Sequence, residues 1–96
     1  MREYEIMLIL PPDAEEAAVD GVVERITGLV SPSGGEVSQV DKWGRRRLAY
    51  EIARNTEGYY VIVRFKAEPE TILELERVLS LVDDVLRFKT VLRQAA

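Results

Sequence analysis

Tyr4, Ile6, Leu8 and Leu10 alternate with Glu3, Glu5, Met7 and Ile9, and this period of two is that of a strand with one strongly buried face. Pro11-Pro12 ends that strand. Asp13 stands three residues before Glu16, the arrangement of an N-cap followed by acidic residues in a first helical turn. Val19, Val22, Val23, Ile26, Leu29 and Val30 then recur at spacings of three and four, which predicts a helix with one apolar face. Gly21 and Gly28 weaken it by ~1 kcal/mol each relative to Ala, and Ser31-Pro32-Ser33-Gly34-Gly35 stops it.

From Glu36 to Ile52 the pattern is extended but uneven. Val37, Val40 and Trp43 break strict alternation while Leu48, Tyr50 and Ile52 keep it, so a bulge or bend is expected near Gly44. Arg54 to Gly58 reads as a hairpin loop, after which Tyr59, Val61, Val63 and Phe65 alternate with Tyr60, Ile62, Arg64 and Lys66 in the clearest strand of the chain. Pro69 opens a second amphipathic helix carrying Ile72, Leu75, Leu79 and Val82, which Asp83-Asp84 is expected to end. Leu86, Phe88, Thr90 and Leu92 alternate with Val85, Arg87, Lys89 and Val91 in a fourth strand.

The order strand, helix, strand, strand, helix, strand predicts an α+β fold of the ferredoxin-like βαββαβ plan. Right-handed crossovers leave one compact arrangement: an antiparallel sheet in the order 4-1-3-2 with both helices on one face. A single domain over residues 1–93 and a short tail at 94–96 are expected. The other sheet face should stay open and display Glu3, Glu5, Met7, Tyr60, Ile62, Arg64 and Lys66. The expected core includes Ile6, Leu8, Val22, Ile26, Val63, Phe65, Leu75, Leu79 and Phe88.

Composition narrows the chemistry. With 96 residues, 47% apolar and 31% charged, the chain suits one folded soluble domain, and with neither Cys nor His it lacks disulfides, thiolate nucleophiles, imidazole bases and the usual transition-metal ligands. Carboxylate pairs such as Glu15-Glu16 and Asp83-Asp84 sit at expected helix ends, where they serve solvation or capping, and no Gly-rich phosphate loop exists. A non-enzymatic protein without cofactor or metal is expected. Arg2, Glu3 and Glu5 interrupt the first apolar stretch, which disfavours a signal peptide or a membrane segment, so the expected location is cytoplasmic.

The net charge of −4 conceals segregation. Residues 1–40 carry two basic and eight acidic side chains, whereas residues 41–66 carry seven basic and three acidic. Residues 67–86 return to one basic against six acidic, and the last ten residues hold Arg87, Lys89 and Arg93 without a side-chain acid. Such asymmetry bears on partner choice more than the total does. Both basic segments are expected on the edge strands, where charged side chains can simply protect an edge from unwanted pairing. Equally, Arg45, Arg46 and Arg47, with Arg87, Lys89 and Arg93 on one strand face and Arg2 on the neighbouring strand, can contact phosphates, Arg through bidentate bonds. Trp43, Tyr50 and Tyr60 invite a base-stacking reading, because single-stranded RNA is commonly read on aromatic platforms, but for Trp43 and Tyr50 packing in the core or at a hinge is the favoured expectation. Tyr59 and Val61, at the positions where an RNA-recognition motif stacks bases, fall on the core side by parity, so recognition of RNA shape and backbone is favoured over base-by-base reading.

Gly44-Arg45-Arg46-Arg47-Leu48-Ala49-Tyr50-Glu51-Ile52 resembles the signature of the bacterial small-subunit ribosomal protein S-six family: a Gly, adjacent basic residues, then Leu-Ala-Tyr, with Ile two places on. Tyr4-Glu5, Trp43, Gly58-Tyr59-Tyr60 and Val85-Leu86-Arg87 extend the likeness over nearly the whole chain. The resemblance implies a structural ribosomal protein that binds the central domain of small-subunit ribosomal RNA together with ribosomal protein S-eighteen. It shifts the arginine run toward phosphate contact. A modest apolar patch of Met7, Tyr60 and Ile62, rimmed by charge, is the expected protein-partner surface, and the free chain is expected to be a monomer. The competing expectation is a small-molecule-sensing regulatory domain of the same topology, which the arginine run disfavours.

Overall fold

The structure, a computed structural model, describes residues 1–93; the tail expected at 94–96 lies outside the described residues. The elements are β1 (Arg2–Leu10), α1 (Glu16–Val30), a 3-10 turn (Ser31–Ser33), β2 (Glu36–Ile52), β3 (Asn55–Ala67), α2 (Pro69–Leu79) and β4 (Arg87–Arg93). They form one antiparallel sheet in the order β2-β3-β1-β4, the order expected from the sequence.

The alternation of β1 and β3 explains the core. Their register sets Tyr4 opposite Phe65, Ile6 opposite Val63 and Leu8 opposite Val61, all pointing to the helix-covered face and all buried. Val19, Val22, Ile26 and Val30 of α1 and Leu75 and Leu79 of α2 close over them in one apolar cluster. Burying each such side chain is worth roughly 1.5–3 kcal/mol against exposure, and the Tyr4 and Phe65 rings add a stacked contact with centroids 5.8 Å apart. Phe88 is half-buried at the margin of this core.

Four local expectations are revised. Asp13 does not cap α1: the Ala14 amide donates to the Pro11 carbonyl at 3.0 Å in a preceding turn, and Glu15 is the cap residue, without a side-chain bond. α2 ends at Leu79 rather than at Asp83-Asp84, because the Leu81 and Val82 amides bond to Val78 and Leu79 in tighter turns. The hairpin loop is narrower than Arg54 to Gly58. Ile52 pairs with Asn55 across a two-residue turn in which Ala53 and Arg54 take φ of 49° and 68°, the double left-handed geometry that matches strand twist. Gly58 is instead buried within β3.

The fourth revision shapes the functional surface. The face opposite the helices does carry Glu3, Glu5, Met7, Tyr60, Ile62, Arg64 and Lys66, but it is not open along its full length. β2 shifts register between Lys42 and Gly44, where Gly44 has φ 81°, so the bulge expected near Gly44 is present. A further irregularity between Arg47 and Ile52 lets the far end of β2 fold over the sheet. Leu48 and Ile9, both on this second face, are 8% and 6% exposed. A Cβ on Gly58 would stand 2.5 Å from Ile9 Cγ2 and 3.4 Å from Leu48 Cδ2, so the absent side chain is what admits this small second apolar contact.

Candidate nucleic-acid interface

The register fixes which way each basic side chain points. On β4, Arg87 lies opposite Ile9, Lys89 opposite Met7 and Arg93 opposite Glu3, so all three share the face away from the helices. On β2, Arg46 lies opposite Gly58 and shares that face, while Arg45 and Arg47, opposite Tyr59 and Glu57, alternate to the other. All of these cations, and Arg2 on β1, are exposed.

Their partners separate them. Arg45 Nε donates to the Pro12 carbonyl oxygen at 3.2 Å, which ties it to the loop after β1. Arg93 Nη1 lies 3.3 Å from Glu5 Oε1, the atom that also accepts from Arg64 Nε at 2.9 Å, so one carboxylate serves two guanidiniums on the sheet face. Lys42, though in the basic segment, bridges Glu16 and Asp20 of α1. The Asp20 hydrogen bond first, and the Glu16 bond next, hold its ammonium well above its ordinary pKa, so it remains a cation but a matched one. Arg2, Arg46, Arg47, Arg87 and Lys89 have no ion pair among the described residues.

Two of these unpaired cations rest on aromatic rings. The Arg46 guanidinium carbon is 5.7 Å from the Trp43 ring centroid, and that of Arg87 is 5.5 Å from the centroid of Tyr50. Arg87 Nη1 also donates to Tyr50 Oη at 2.6 Å. Trp43 and Tyr50 are 52% and 59% exposed, which corrects the expectation that both would be packed. Trp43 lies at the β2 bulge, outside regular alternation, and Tyr50 sits on the curled end of the strand. A signal for Trp43 was its place just before the bulging Gly44; no local pattern announces that Tyr50 meets Arg87. Tyr59 and Val61 do face the core, as their parity predicts.

The sheet order puts β2 and β4 at opposite edges, yet the Tyr50–Arg87 contact joins the two basic segments at one end. Between them lies a cleft of about 360 Å³ lined by Met7, Ile9, Leu48, Tyr50, Tyr60 and Arg87, among others. Met7, Tyr60 and Ile62 are half-buried and lie on neighbouring strands, Met7 opposite Ile62 and Ile9 opposite Tyr60. The acidic residues of α1 and α2, including Glu16, Asp20, Glu24, Glu70 and Glu74, belong to the helical layer. The arrangement is a ferredoxin-like protein in which the unpaired Arg46, Arg87 and Lys89 share the uncovered face of the sheet, opposite the acidic helical layer, while Arg2 and Arg47 point to the helix side.

Comparison with known proteins gives this class its family. The family described as Ribosomal protein S6 matches residues 3–92. The chain is 49% identical over 88 residues to small ribosomal subunit protein bS6 of Moorella thermoacetica, covering 92% of this chain and 90% of that one. It is 54% identical over 89 residues to the bS6 protein of Mycolicibacterium paratuberculosis, covering 93% of each. The crystal structure of 30S ribosomal protein S6 from Thermotoga maritima superposes with a TM-score of 0.85 at 30% identity, covering 96% of this chain and 87% of that one. The chain belongs to the ribosomal protein S6 family, whose members are structural proteins of the ribosome and not enzymes.

Proposed function

We propose that this chain is a structural component of the small ribosomal subunit in the cytoplasm, and that it binds the central domain of small-subunit ribosomal RNA cooperatively with ribosomal protein S-eighteen. Family membership supports the ribosomal part of this reading. The observation that carries the RNA part is the placement of exposed, unpaired Arg46, Arg87 and Lys89 on the sheet face opposite the acidic helices, with unpaired Arg47 beside them on the β2 edge, in a chain of net charge −4. A polyanion can approach such a protein from one side only.

Arg2, Arg45 and Arg93 contribute less, because Arg45 is tied to Pro12 and Arg93 to Glu5, and Arg2, opposite Ala67 at the start of β1, points to the helix side of the sheet. Few free cations mean weak binding by the chain alone. A second, basic protein docking beside Met7, Tyr60 and Ile62 supplies further phosphate contacts, which is the physical source of the cooperativity. The free chain is then a monomer.

The test is a titration of a labelled central-domain RNA fragment with this protein, with the partner and with both, at several salt concentrations. Joint binding exceeds either alone, and replacing Arg46 and Arg47 by Ala lowers the salt slope by roughly 0.9 for each lost phosphate contact. Tyr60→Glu weakens capture of the partner while the fold is retained. RNA affinity indifferent to the arginines, together with no effect of the partner, overturns the reading.

A further inference from the structure

Trp43 is the single tryptophan of the chain, and it is 52% exposed beside the arginine run. An indole left in water forgoes the burial that makes tryptophan valuable to a core, so its position calls for a reason. Simple surface packing is one: the Arg46 guanidinium lies over the ring. That contact covers part of the ring and leaves more than half of the residue accessible.

The surroundings favour RNA over a protein as the ring's occupant. Arg45, Arg46 and Arg47 follow directly, and Arg46 and Arg47 lack ion pairs among the described residues. The adjacent cation Lys42 is matched by Glu16 and Asp20, and the nearby Asp41 carboxylate accepts from Gln39 Nε2 at 2.8 Å. An exposed aromatic ring with a guanidinium free of ion pairs against it is the combination that holds an unpaired base by its face and a neighbouring phosphate by charge. A base inside a duplex is already stacked on both sides and cannot reach such a ring. Gly44 supports the geometry, since its left-handed bulge interrupts the β2 register at this point and a Cβ there would meet nothing within 4 Å.

We infer that Trp43, with Arg46 against it, is a stacking site for an unpaired RNA base, so that this face of β2 requires a splayed or single-stranded nucleotide as well as backbone phosphates. This inference rests on the RNA-binding reading and adds to it a demand on RNA structure.

Because Trp43 is the sole indole, its fluorescence reports the site directly. The full chain is titrated, with and without the partner protein, with the central-domain RNA fragment, a short single-stranded RNA and a blunt, fully paired two-strand RNA duplex of matched length. Stacking quenches Trp43 emission with the fragment and the single strand and leaves it nearly unchanged with the duplex. Trp43→Ala weakens single-strand binding by about tenfold, the size of one stacked base, Trp43→Phe retains most of it, and duplex binding is equal in all three proteins. RNA binding that depends on Arg46 and Arg47 but leaves Trp43 silent and shows no preference for single strands overturns the stacking site and leaves the RNA reading standing. Quenching by the partner protein in place of RNA also overturns it, and absence of binding to every RNA removes both.

Discussion

Tyr50 and Arg87 are separated by the full width of the sheet order, yet the Arg87 guanidinium donates to the Tyr50 hydroxyl at 2.6 Å and lies over its ring at 5.5 Å. The contact fastens the curled end of the β2–β3 hairpin to the start of β4. It also presents Arg87, a cation without an ion pair among the described residues, in a fixed place beside the cleft.

Releasing this clasp should free the hairpin end. Tyr50→Ala is expected to lower stability by about 1 kcal/mol through the lost hydrogen bond and cation–π contact, and to speed tryptic cleavage after the exposed Arg54 at the turn. Limited proteolysis followed by mass measurement of the fragment ending at Arg54 reads the effect. A cleavage rate equal to that of the parent protein would mean that Ile9, Leu48 and Gly58 hold the hairpin unaided.

The turn itself offers a gain. Ala53 and Arg54 hold φ of 49° and 68°, a region that costs an L-residue with a Cβ roughly 1 kcal/mol and that Asn and Gly tolerate well. The double replacement Ala53→Asn with Arg54→Gly is expected to raise the unfolding free energy by about 1–2 kcal/mol, read as a higher denaturant midpoint at constant slope.

A buried hydroxyl offers a second. Thr90 Oγ1, on β4 opposite Ile6, is buried without a hydrogen-bond partner. Thr90→Val keeps the shape and the β-branching that suit a strand and removes the desolvated oxygen, so stability should rise by roughly 1 kcal/mol. Loss of stability in equilibrium unfolding would show that the hydroxyl is satisfied by solvent.

Gly58 should resist substitution for a steric reason. A methyl group there meets Ile9 Cγ2 at 2.5 Å, so Gly58→Ala is expected to cost about 1–3 kcal/mol, and its cost should fall in an Ile9→Ala background, where Cγ2 is absent. A double-mutant cycle on thermal or chemical unfolding measures the coupling. Purely additive effects would place the strain elsewhere.

The alternation of Tyr4, Ile6, Leu8, Val61, Val63 and Phe65, with the three-and-four spacing of Val19, Val22 and Ile26, determined element types, order, core and sheet topology. These are properties of short stretches, set by backbone periodicity and the requirement that apolar faces meet. The charge segregation and the family signature around Gly44 to Ile52 were legible in the same way. The exact ends of α1, α2 and the hairpin turn were not, because capping and turn bonds were settled by competition among neighbouring backbone groups such as Pro11 and Ala14. Nor did local pattern reveal which cations are free. Arg93 is matched by Glu5 from 88 residues away in sequence and Lys42 by Asp20 from 22, pairings that exist only once β4 lies beside β1 and β2 beside α1. The exposure of Trp43 and the Tyr50–Arg87 clasp arise likewise from a bulge and a curl in one long strand, whose course depends on what the other strands leave uncovered.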